Sequence, residues 1–324
     1  MRALHVTRLD GPDGVEVVEV PEPAPREGDV VVEVRCVGIS YPDLLLSRGD
    51  YQIKPEPPFQ LGVDFAGVIR SAPDASGFAP GDRVACVLPY GGGAEVVALG
   101  PDSVFPLPDN VSFEAAAALP MNYLTAQFAL ATRAGLREGE TVLVHGAGGG
   151  VGTATIQVAK GYGASTIAVV SSEAKAEVAR AAGADEVVLV EGFLAAVKEL
   201  TGGVGVDVVM DVVGADLMTD SLRALAPLGR LLVVGFTGGS IPEVRVNRLL
   251  LNNIDVRGVG WGAHAMGRAG FMREQWDALV PMLENGVVDP PIGHTYPLEQ
   301  AGVALAEMAE RRTLGKSVLV LDAS

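Results

Sequence analysis

The sequence predicts an α/β protein in which a β-rich unit precedes a doubly wound parallel sheet. A β-branched apolar run over 141–144 is followed by a glycine-rich turn and then by apolar residues at helical spacing from Val151. Apolar strand-like runs and helical patterns then alternate up to about residue 234. Before residue 119, short strand-like runs are separated by prolines and glycines, which is typical of a small, mostly antiparallel β unit.

The glycine-rich turn is a variant of G-x-G-x-x-G with alanine in the first position. Small residues permit a tight turn and let backbone N–H groups approach a pyrophosphate, while the helix that follows presents its unpaired donors to the anion. A glycine turn that merely ends a strand is the alternative, but the strand before it and the helix after it favour dinucleotide binding. The candidate cofactor-binding residues here are Ala147, Gly148, Gly149, Gly150, Val151 and Gly152.

The predicted elements also divide the chain into domains. A helical stretch over 113–132 is interrupted at 120–122, which indicates a domain junction. The following strands are predicted at 141–144, 165–170, 186–190, 206–212, 230–234 and 254–260. We therefore expect a Rossmann cofactor domain over 122–260 and a catalytic domain formed by 1–121 and 261–324, since the last segment does not continue the alternation.

Composition excludes several classes of function. The 324 residues carry a net charge of −16, which disfavours nucleic acid and anionic membranes as partners. No apolar run is long enough to span a bilayer and the N-terminus alternates like a strand, so we expect a cytoplasmic protein without membrane insertion. Cys36 and Cys86 are too few for a disulfide framework and are expected to be reduced.

Several separated motifs occur along the chain: GISYPD at 38–43, RGDY at 48–51, GVDFAG at 62–67, PGDRV at 80–84, the T-A pair at 125–126 and the glycine loop. Together they resemble the zinc-independent quinone oxidoreductase branch of the medium-chain dehydrogenase/reductase superfamily. The resemblance spans essentially the whole chain and implies a GroES-like catalytic domain beside the Rossmann domain.

The resemblance also implies that a catalytic metal is missing. Zinc-dependent relatives place cysteine and histidine at the positions of Ser40 and Tyr41, and histidine at that of Val63. None of these three side chains can replace such ligands. The four histidines of the chain show no metal-ligand spacing either, so no metal site is predicted.

Candidate catalytic residues lie in the long, proline-containing segment 39–62. A tyrosine follows the same R-G-x segment in the enoyl reductases of the superfamily, so Tyr51 is the main candidate proton donor to a developing oxyanion. Its alternative role is that of an apolar wall residue. Ser40 and Tyr41 are weaker candidates for binding the substrate oxygen, and Asp43 is expected to fix the loop or cap a helix.

The end of the second Rossmann strand bears on the choice of cofactor. An NAD enzyme would place a carboxylate near Ser172, whereas serine stands there and Lys175 occupies the position of a lysine that holds the 2′-phosphate in related NADPH enzymes. A solvated lysine is the alternative, and Glu173 complicates the assignment. The remaining candidate cofactor residues are Ser171, Thr125, Val213, Gly235 and Phe236.

The resulting hypothesis is an NADPH-dependent reductase that transfers a hydride to a small-molecule quinone or activated alkene, with an enoyl-thioester reductase as a variant. A nucleotide-binding redox sensor or structural protein without turnover is the rival, since fold alone does not decide function. The strand at 254–260 resembles the family's edge strand and predicts a homodimer.

Overall fold

The computed structural model describes residues 1–321 as two compact units. The first unit comprises 1–121, 269–276 and the chain from Ile292 onward. The second comprises 122–268 and 277–291.

The strands and helices are numbered in chain order. The strands are β1 (Arg2–Val6), β2 (Val15–Glu19), β3 (Val30–Ile39), β4 (Phe59–Gln60), β5 (Asp64–Ser71), β6 (Arg83–Val87), β7 (Val96–Leu99), β8 (Val104–Pro106), β9 (Thr141–His145), β10 (Ser165–Val170), β11 (Glu186–Leu189), β12 (Val206–Asp211), β13 (Leu225–Val233), β14 (Asp255–Gly258), β15 (Ile292–Pro297) and β16 (Lys316–Val320). The helices are α1 (Tyr41–Arg48), α2 (Phe113–Ala118), α3 (Pro120–Gln127), α4 (Gly150–Gly161), α5 (Glu173–Ala181), α6 (Phe193–Leu200), α7 (Met218–Ala224), α8 (Asn247–Asn252), α9 (Trp261–Ala265), α10 (Phe271–Glu284) and α11 (Ala301–Ala309).

The first unit is built on two sheets. One has three strands in the order β2-β1-β4, and the other runs β15-β16-β3-β5-β6-β8 with β7 paired to β3. Nearly all of these pairs are antiparallel, the exception being β15 with β16. The long strand β3 brings β16 against its C-terminal half, where Ser317 lies opposite Ile39. Residues far apart in sequence therefore meet where β3 leads into α1.

The second unit is a six-stranded parallel sheet in the order β11-β10-β9-β12-β13-β14. This is the strand order of a Rossmann fold, in which the chain reverses direction across the sheet after β11. The apolar residues of β9, β10 and β12 are almost completely buried, as expected where helices cover both faces of a parallel sheet. The carboxyl ends of β9 and β12 are neighbours at the switch point, where ligands bind in such folds.

The structure differs from the sequence prediction in the return of the chain to the first unit. Residues 261–268 and 277–291 belong to the second unit rather than to the catalytic domain. The reason is packing on α4, where Gly161 leaves room for Met282 and the Gln157 side chain bonds the backbone of Asp289. The ring of His264 likewise lies 4.9 Å from that of Phe128.

Several further elements differ from the sequence prediction. Residues 41–48 form a helix inside the segment that was interpreted as a long loop. The predicted helix 113–132 becomes α2, α3 and a π-helical turn over Phe128–Ala134. Strands β4, β8 and β15 were not predicted, because they are short or lack alternating hydrophobicity.

Candidate active site

The glycine turn lies between β9 and α4, as the sequence predicts. Gly146 has a φ of 64°, which favours glycine, and the close approach of its carbonyl would place a side-chain Cβ at Gly152 only 2.3 Å away. Gly149 is the N-cap residue of α4, and as a glycine it offers no side chain to the first N–H groups of this twelve-residue helix. The N-terminus of a helix carries a partial positive charge and is a favourable place for an anion.

One residue beside this turn was missed by the sequence analysis. A Cβ at Gly150 would lie 2.5 Å from Nδ2 of Asn122, so the side chain of Asn122 packs directly on the start of α4. Thr125 follows one turn later on α3 and is 9% exposed. Because Pro120 interrupts the segment, its helical spacing cannot be recognised in the sequence. Only the T-A pair at 125–126 indicates that the segment belongs to the site.

The residues predicted to bind a 2′-phosphate lie between the end of β10 and the first turn of α5. Ser172 caps α5 by accepting from the backbone N–H of Lys175, and Nζ of Lys175 lies 3.4 Å from Oγ of Ser171. A Cβ at Gly148 would lie 2.7 Å from that of Lys175, so the start of α5 packs on the glycine turn. The structure thus brings one ammonium and two hydroxyls to the edge of the cofactor loop.

Glu173, the complicating carboxylate, has partners of its own. Its Oε1 accepts from Nη1 of Arg180 at 2.6 Å, and the same nitrogen also bonds Glu177. The Arg180 hydrogen bond lowers the pKa of Glu173. The carboxylate is therefore oriented along α5, toward the following turns.

The other predicted cofactor residues lie on two loops that are bonded to each other. Asp211 ends β12, and its Oδ1 accepts from the backbone N–H groups of Val213 and Gly214, both at 2.8 Å. The carbonyl of Val213 accepts from the N–H of Gly238. Gly235 and Phe236 lie on this second loop, and Phe236 is 36% exposed.

In the first unit, Ser40 is part of a buried ionic cluster. Its Oγ donates to Oδ2 of Asp64 at 2.7 Å and accepts from Nζ of Lys316, which also bonds Asp64 at 2.8 Å. Asp64 Oδ1 accepts from the backbone N–H of Met121 at the start of α3. Asp64 is fully buried and Lys316 is 4% exposed, so this pair is shielded from water. The hydroxyl hydrogen of Ser40 is committed to Asp64, which leaves the oxygen a lone pair with which to accept.

Asp43 fixes the entry to α1. Its carboxylate accepts from the backbone N–H of Ser40 in a capping box and from the N–H of Gly62. Burial raises the pKa of Asp43 to about 7, and the charge of Asp64 adds to this effect. The side chain therefore does what the sequence predicted, since it fixes the loop and caps a helix.

The two tyrosines of this segment differ in environment. Burial, and to a lesser degree the charge of Asp43, raises the pKa of Tyr51, so its phenol stays protonated at neutral pH. Tyr41 is 37% exposed on the first turn of α1. Tyr51 thus lies within electrostatic reach of Asp43, whereas Tyr41 is partly exposed to solvent.

Residues 1–321 contain neither a candidate metal-binding cluster nor a helix that could span a membrane. No group of three histidine, cysteine or acidic side chains there could hold a metal ion. No helix in the same range is long and apolar enough to cross a bilayer.

Family models match both units. A zinc-binding dehydrogenase domain matches residues 150–285, and an alcohol dehydrogenase GroES-like domain matches residues 26–109. The rat quinone oxidoreductase-like protein 2 is 38% identical over 99% of this chain and 92% of its own length. The chain belongs to the quinone oxidoreductase branch of the medium-chain dehydrogenase/reductase superfamily. It is an oxidoreductase with a GroES-like and a Rossmann unit.

Solved structures agree with this membership. A probable oxidoreductase from Mycobacterium abscessus has a TM-score of 0.91 at 44% identity, with 99% of each chain covered. The Thermus thermophilus quinone oxidoreductase, solved also with NADPH, has a TM-score of 0.85 at 34% identity, with 99% of this chain and 100% of that chain covered. The Rossmann and GroES-like expectations from the sequence are therefore confirmed.

The cluster around Asp64 yields a prediction about stability. Lys316→Met leaves a buried carboxylate without its cation and should lower the free energy of unfolding by about 3–5 kcal/mol. The double variant Lys316→Met/Asp64→Asn removes both charges and should be more stable than Lys316→Met alone. Urea unfolding followed by circular dichroism measures both.

The exposed ion pair between Arg70 and Glu22 in the same unit is the matched control. Arg70→Met should cost less than about 1 kcal/mol, because solvent screens that pair. The single variant Asp64→Asn completes the cycle. If the stability losses of Lys316→Met and Asp64→Asn simply add in the double variant, the two charges are not coupled.

Proposed function

We propose that the chain is an NADPH-dependent reductase that transfers a hydride to a quinone or an α,β-unsaturated carbonyl without a metal. The observation that carries this proposal is the convergence of the uncapped start of α4 with Lys175 and two serines at the end of β10. Relatives named quinone oxidoreductase, and a mycobacterial structure solved with NADPH at 29% identity, support it.

The residues present fit a dinucleotide. A Cβ at Gly148, Gly150 or Gly152 would lie 2.7 Å or less from other atoms of the protein, so only glycine permits this tight turn, whose backbone donors are placed to approach a pyrophosphate. The 2′-phosphate is bound by Lys175 with the hydroxyls of Ser171 and Ser172. When bound, the nicotinamide ring supplies the hydride, and the chain supplies orientation, exclusion of water and a proton.

On the substrate side, Tyr51 is the proposed proton donor. Its raised pKa keeps the hydroxyl hydrogen in place until an oxyanion develops. Ser40 already donates to Asp64, so in this role its oxygen accepts a hydrogen bond from a reduced substrate hydroxyl. Tyr41, exposed on α1, is the second candidate donor.

Metal independence belongs to the same proposal. The positions where zinc-dependent relatives carry ligands hold Ser40, Tyr41 and Val63, and the hydroxyl of Ser40 is already engaged by Lys316 and Asp64. These side chains are poor ligands for zinc. The proton donor then replaces a Lewis acid at the substrate oxygen.

We also propose a cytoplasmic homodimer that pairs through residues 254–260. Within the described chain, β14 is the edge strand of the second unit and has β13 as its neighbour. Exposed apolar side chains lie close by in sequence: Ile241 (75%), Val246 (74%), Leu250 (77%) and Leu251 (74%). An open edge beside apolar surface is a physical reason to associate.

A substrate panel tests the proposal. NADPH oxidation is followed at 340 nm with naphthoquinones, with α,β-unsaturated ketones and with an enoyl thioester, and alcohol oxidation is followed with NADP. Turnover of quinones or enones is expected. NADPH binding with no turnover in any assay would favour the nucleotide sensor instead.

Replacing Tyr51 tests the proton donor. Tyr51→Phe should lower kcat about 10²-fold or more with enones, because general acid catalysis of that size is lost. The loss with quinones should be smaller, since a quinol oxyanion is a weaker base and takes its proton from water. Steady-state kinetics with both substrate classes measures this, with Tyr90→Phe as the control. Unchanged kcat with both classes would make Tyr51 a wall residue.

Replacing Lys175 tests the phosphate contact. Lys175→Ala should weaken NADPH about ten- to a hundredfold, because a hydrogen bond to a charged group is lost. NADH affinity should barely change. Fluorescence titration measures both dissociation constants, and Lys198→Ala, which removes an equal charge from α6, should leave both unchanged. Equal losses for NADPH and NADH would contradict the assignment of Lys175.

Chelation tests metal independence. Prolonged dialysis against EDTA or 1,10-phenanthroline should leave kcat unchanged and should remove no stoichiometric zinc as measured by atomic emission. Loss of activity that zinc restores would overturn this part of the proposal.

A further inference from the structure

Two buried hydrogen-bond acceptors stand at the ends of neighbouring strands in the second unit. Among the described residues, Nδ1 of His145 and Oδ2 of Asp211 have no protein partner, and both residues are at most 1% exposed. The strands pair up to Val144 with Met210, so the next residues, His145 and Asp211, lie opposite each other. Such buried polar atoms are rarely left unpaired in native proteins.

Both side chains lie on the same face of the sheet. Leu143 and Val209, two residues earlier on each strand, belong to the apolar cluster under α6 and α7. Side chains two apart on a strand share a face, so His145 and Asp211 also point toward these helices. The ring of His145 confirms this, since it lies edge-on to Phe193 of α6 at 5.0 Å.

The tautomer of His145 follows from its other nitrogen. Ser221 donates its hydroxyl hydrogen to the carbonyl of Leu217, so its oxygen must accept from Nε2–H of His145 at 2.8 Å. Burial lowers the pKa of His145 to about 4, against the opposing charge of Asp211. The neutral ring therefore has its hydrogen on Nε2, and Nδ1 is an acceptor.

Two acceptors facing each other need a donor from outside the two side chains. A water molecule meets this need, because it donates one hydrogen to each acceptor. The other carboxylate oxygen of Asp211 is already committed to the loop at Val213 and Gly214. The carboxylate is then hydrogen-bonded at both of its oxygens, at Oδ1 by the loop and at Oδ2 by the water.

We propose that Asp211 is a positioning residue for the nicotinamide half of the cofactor, held in place by a buried water that it shares with Nδ1 of His145. This rests on the proposed function. In a Rossmann fold the first three strands bind one mononucleotide and the next three bind the other. Asp211 ends the fourth strand, whereas the glycine turn and Lys175 belong to the first half.

The loop after β12, which Asp211 fixes, is also hydrogen-bonded to the loop after β13. The carbonyl of Val212 accepts from both the backbone and the hydroxyl of Thr237, and that of Val213 accepts from Gly238. Losing the two hydrogen bonds at Oδ1 frees Val213 and, through these contacts, the loop that carries Gly235 and Phe236. The first half of the site does not depend on these bonds.

Two ligands distinguish the two mononucleotide-binding halves of the site in a binding experiment. NADPH contacts both halves, whereas adenosine 2′,5′-bisphosphate contacts the first half only. Calorimetric titration of Asp211→Ala should show NADPH weakened about tenfold or more and adenosine 2′,5′-bisphosphate unchanged. A loss for both ligands, or for neither, overturns the proposal.

A second variant guards against simple misfolding. Asp211→Asn keeps an oxygen for the loop and places an amide N–H toward Nδ1 of His145, so it should bind NADPH within about threefold of the wild type. The ¹⁵N spectrum of His145 should show a bare Nδ1 in the wild type and a changed Nδ1 resonance in Asp211→Asn. A loss of NADPH affinity equal to that of Asp211→Ala, or a protonated Nδ1 in the wild type at pH 7, contradicts the arrangement.

These results are distinct from failure of the proposed function. A wild-type chain that binds neither NADPH nor NADH refutes the function itself. A wild-type chain that prefers NADH refutes only the phosphate assignment, and the same comparison then uses NADH and AMP.

Discussion

The carboxylate of Asp64 is the point on which the substrate-side unit depends. It is fully buried, and a buried charge of this kind is tolerated when a cation and further donors satisfy it. Lys316, Ser40 and the backbone of Met121 provide these donors from three other segments of the chain. The start of α1, the last strand and the start of α3 are thereby fixed relative to β5.

The same cluster engages the hydroxyl of Ser40, which stands where the family resemblance places a metal ligand in zinc-dependent members. The cation of this cluster is the ammonium of Lys316, which is part of the chain and is held in place by β16. Asp43 lies beside it with a pKa raised to about 7 by burial, and Tyr51 lies within reach of that charge. The unit therefore holds titratable groups close together, and among the described residues no group of three histidine, cysteine or acidic side chains could hold a metal ion.

The sequence was informative where the physical signal is local. The glycine turn could be predicted because a buried strand, small residues and a helical period follow one another directly. The helix at 41–48 carried its own signal, since Ser40 and Asp43 form a capping box, but its prolines led to the interpretation of a long loop.

The rest could not be found in this way because its partners are distant in sequence. Lys316 lies 252 residues from Asp64, and Ser221 lies 76 residues from His145. The sequence around Asp64 does not show that its carboxylate is paired with a lysine, and the sequence around His145 does not show which ring nitrogen carries the hydrogen. Both properties depend on partners that only the fold brings close. The packing of Met282 against Gly161, which keeps residues 277–291 with the second unit, is of the same kind.

In the proposed function, local groups at the end of β10 overcome the net charge of −16 and select a 2′-phosphorylated dinucleotide. Glu173 is engaged by Arg180, and the proposal assigns the phosphate to Lys175 and the hydroxyls of Ser171 and Ser172. The most direct measurement is a calorimetric titration of the unmodified protein with NADPH and with NADH at two salt concentrations. NADPH should bind about ten- to a hundredfold more tightly than NADH, and this preference should decrease as salt is added. Equal affinities at low salt would contradict it.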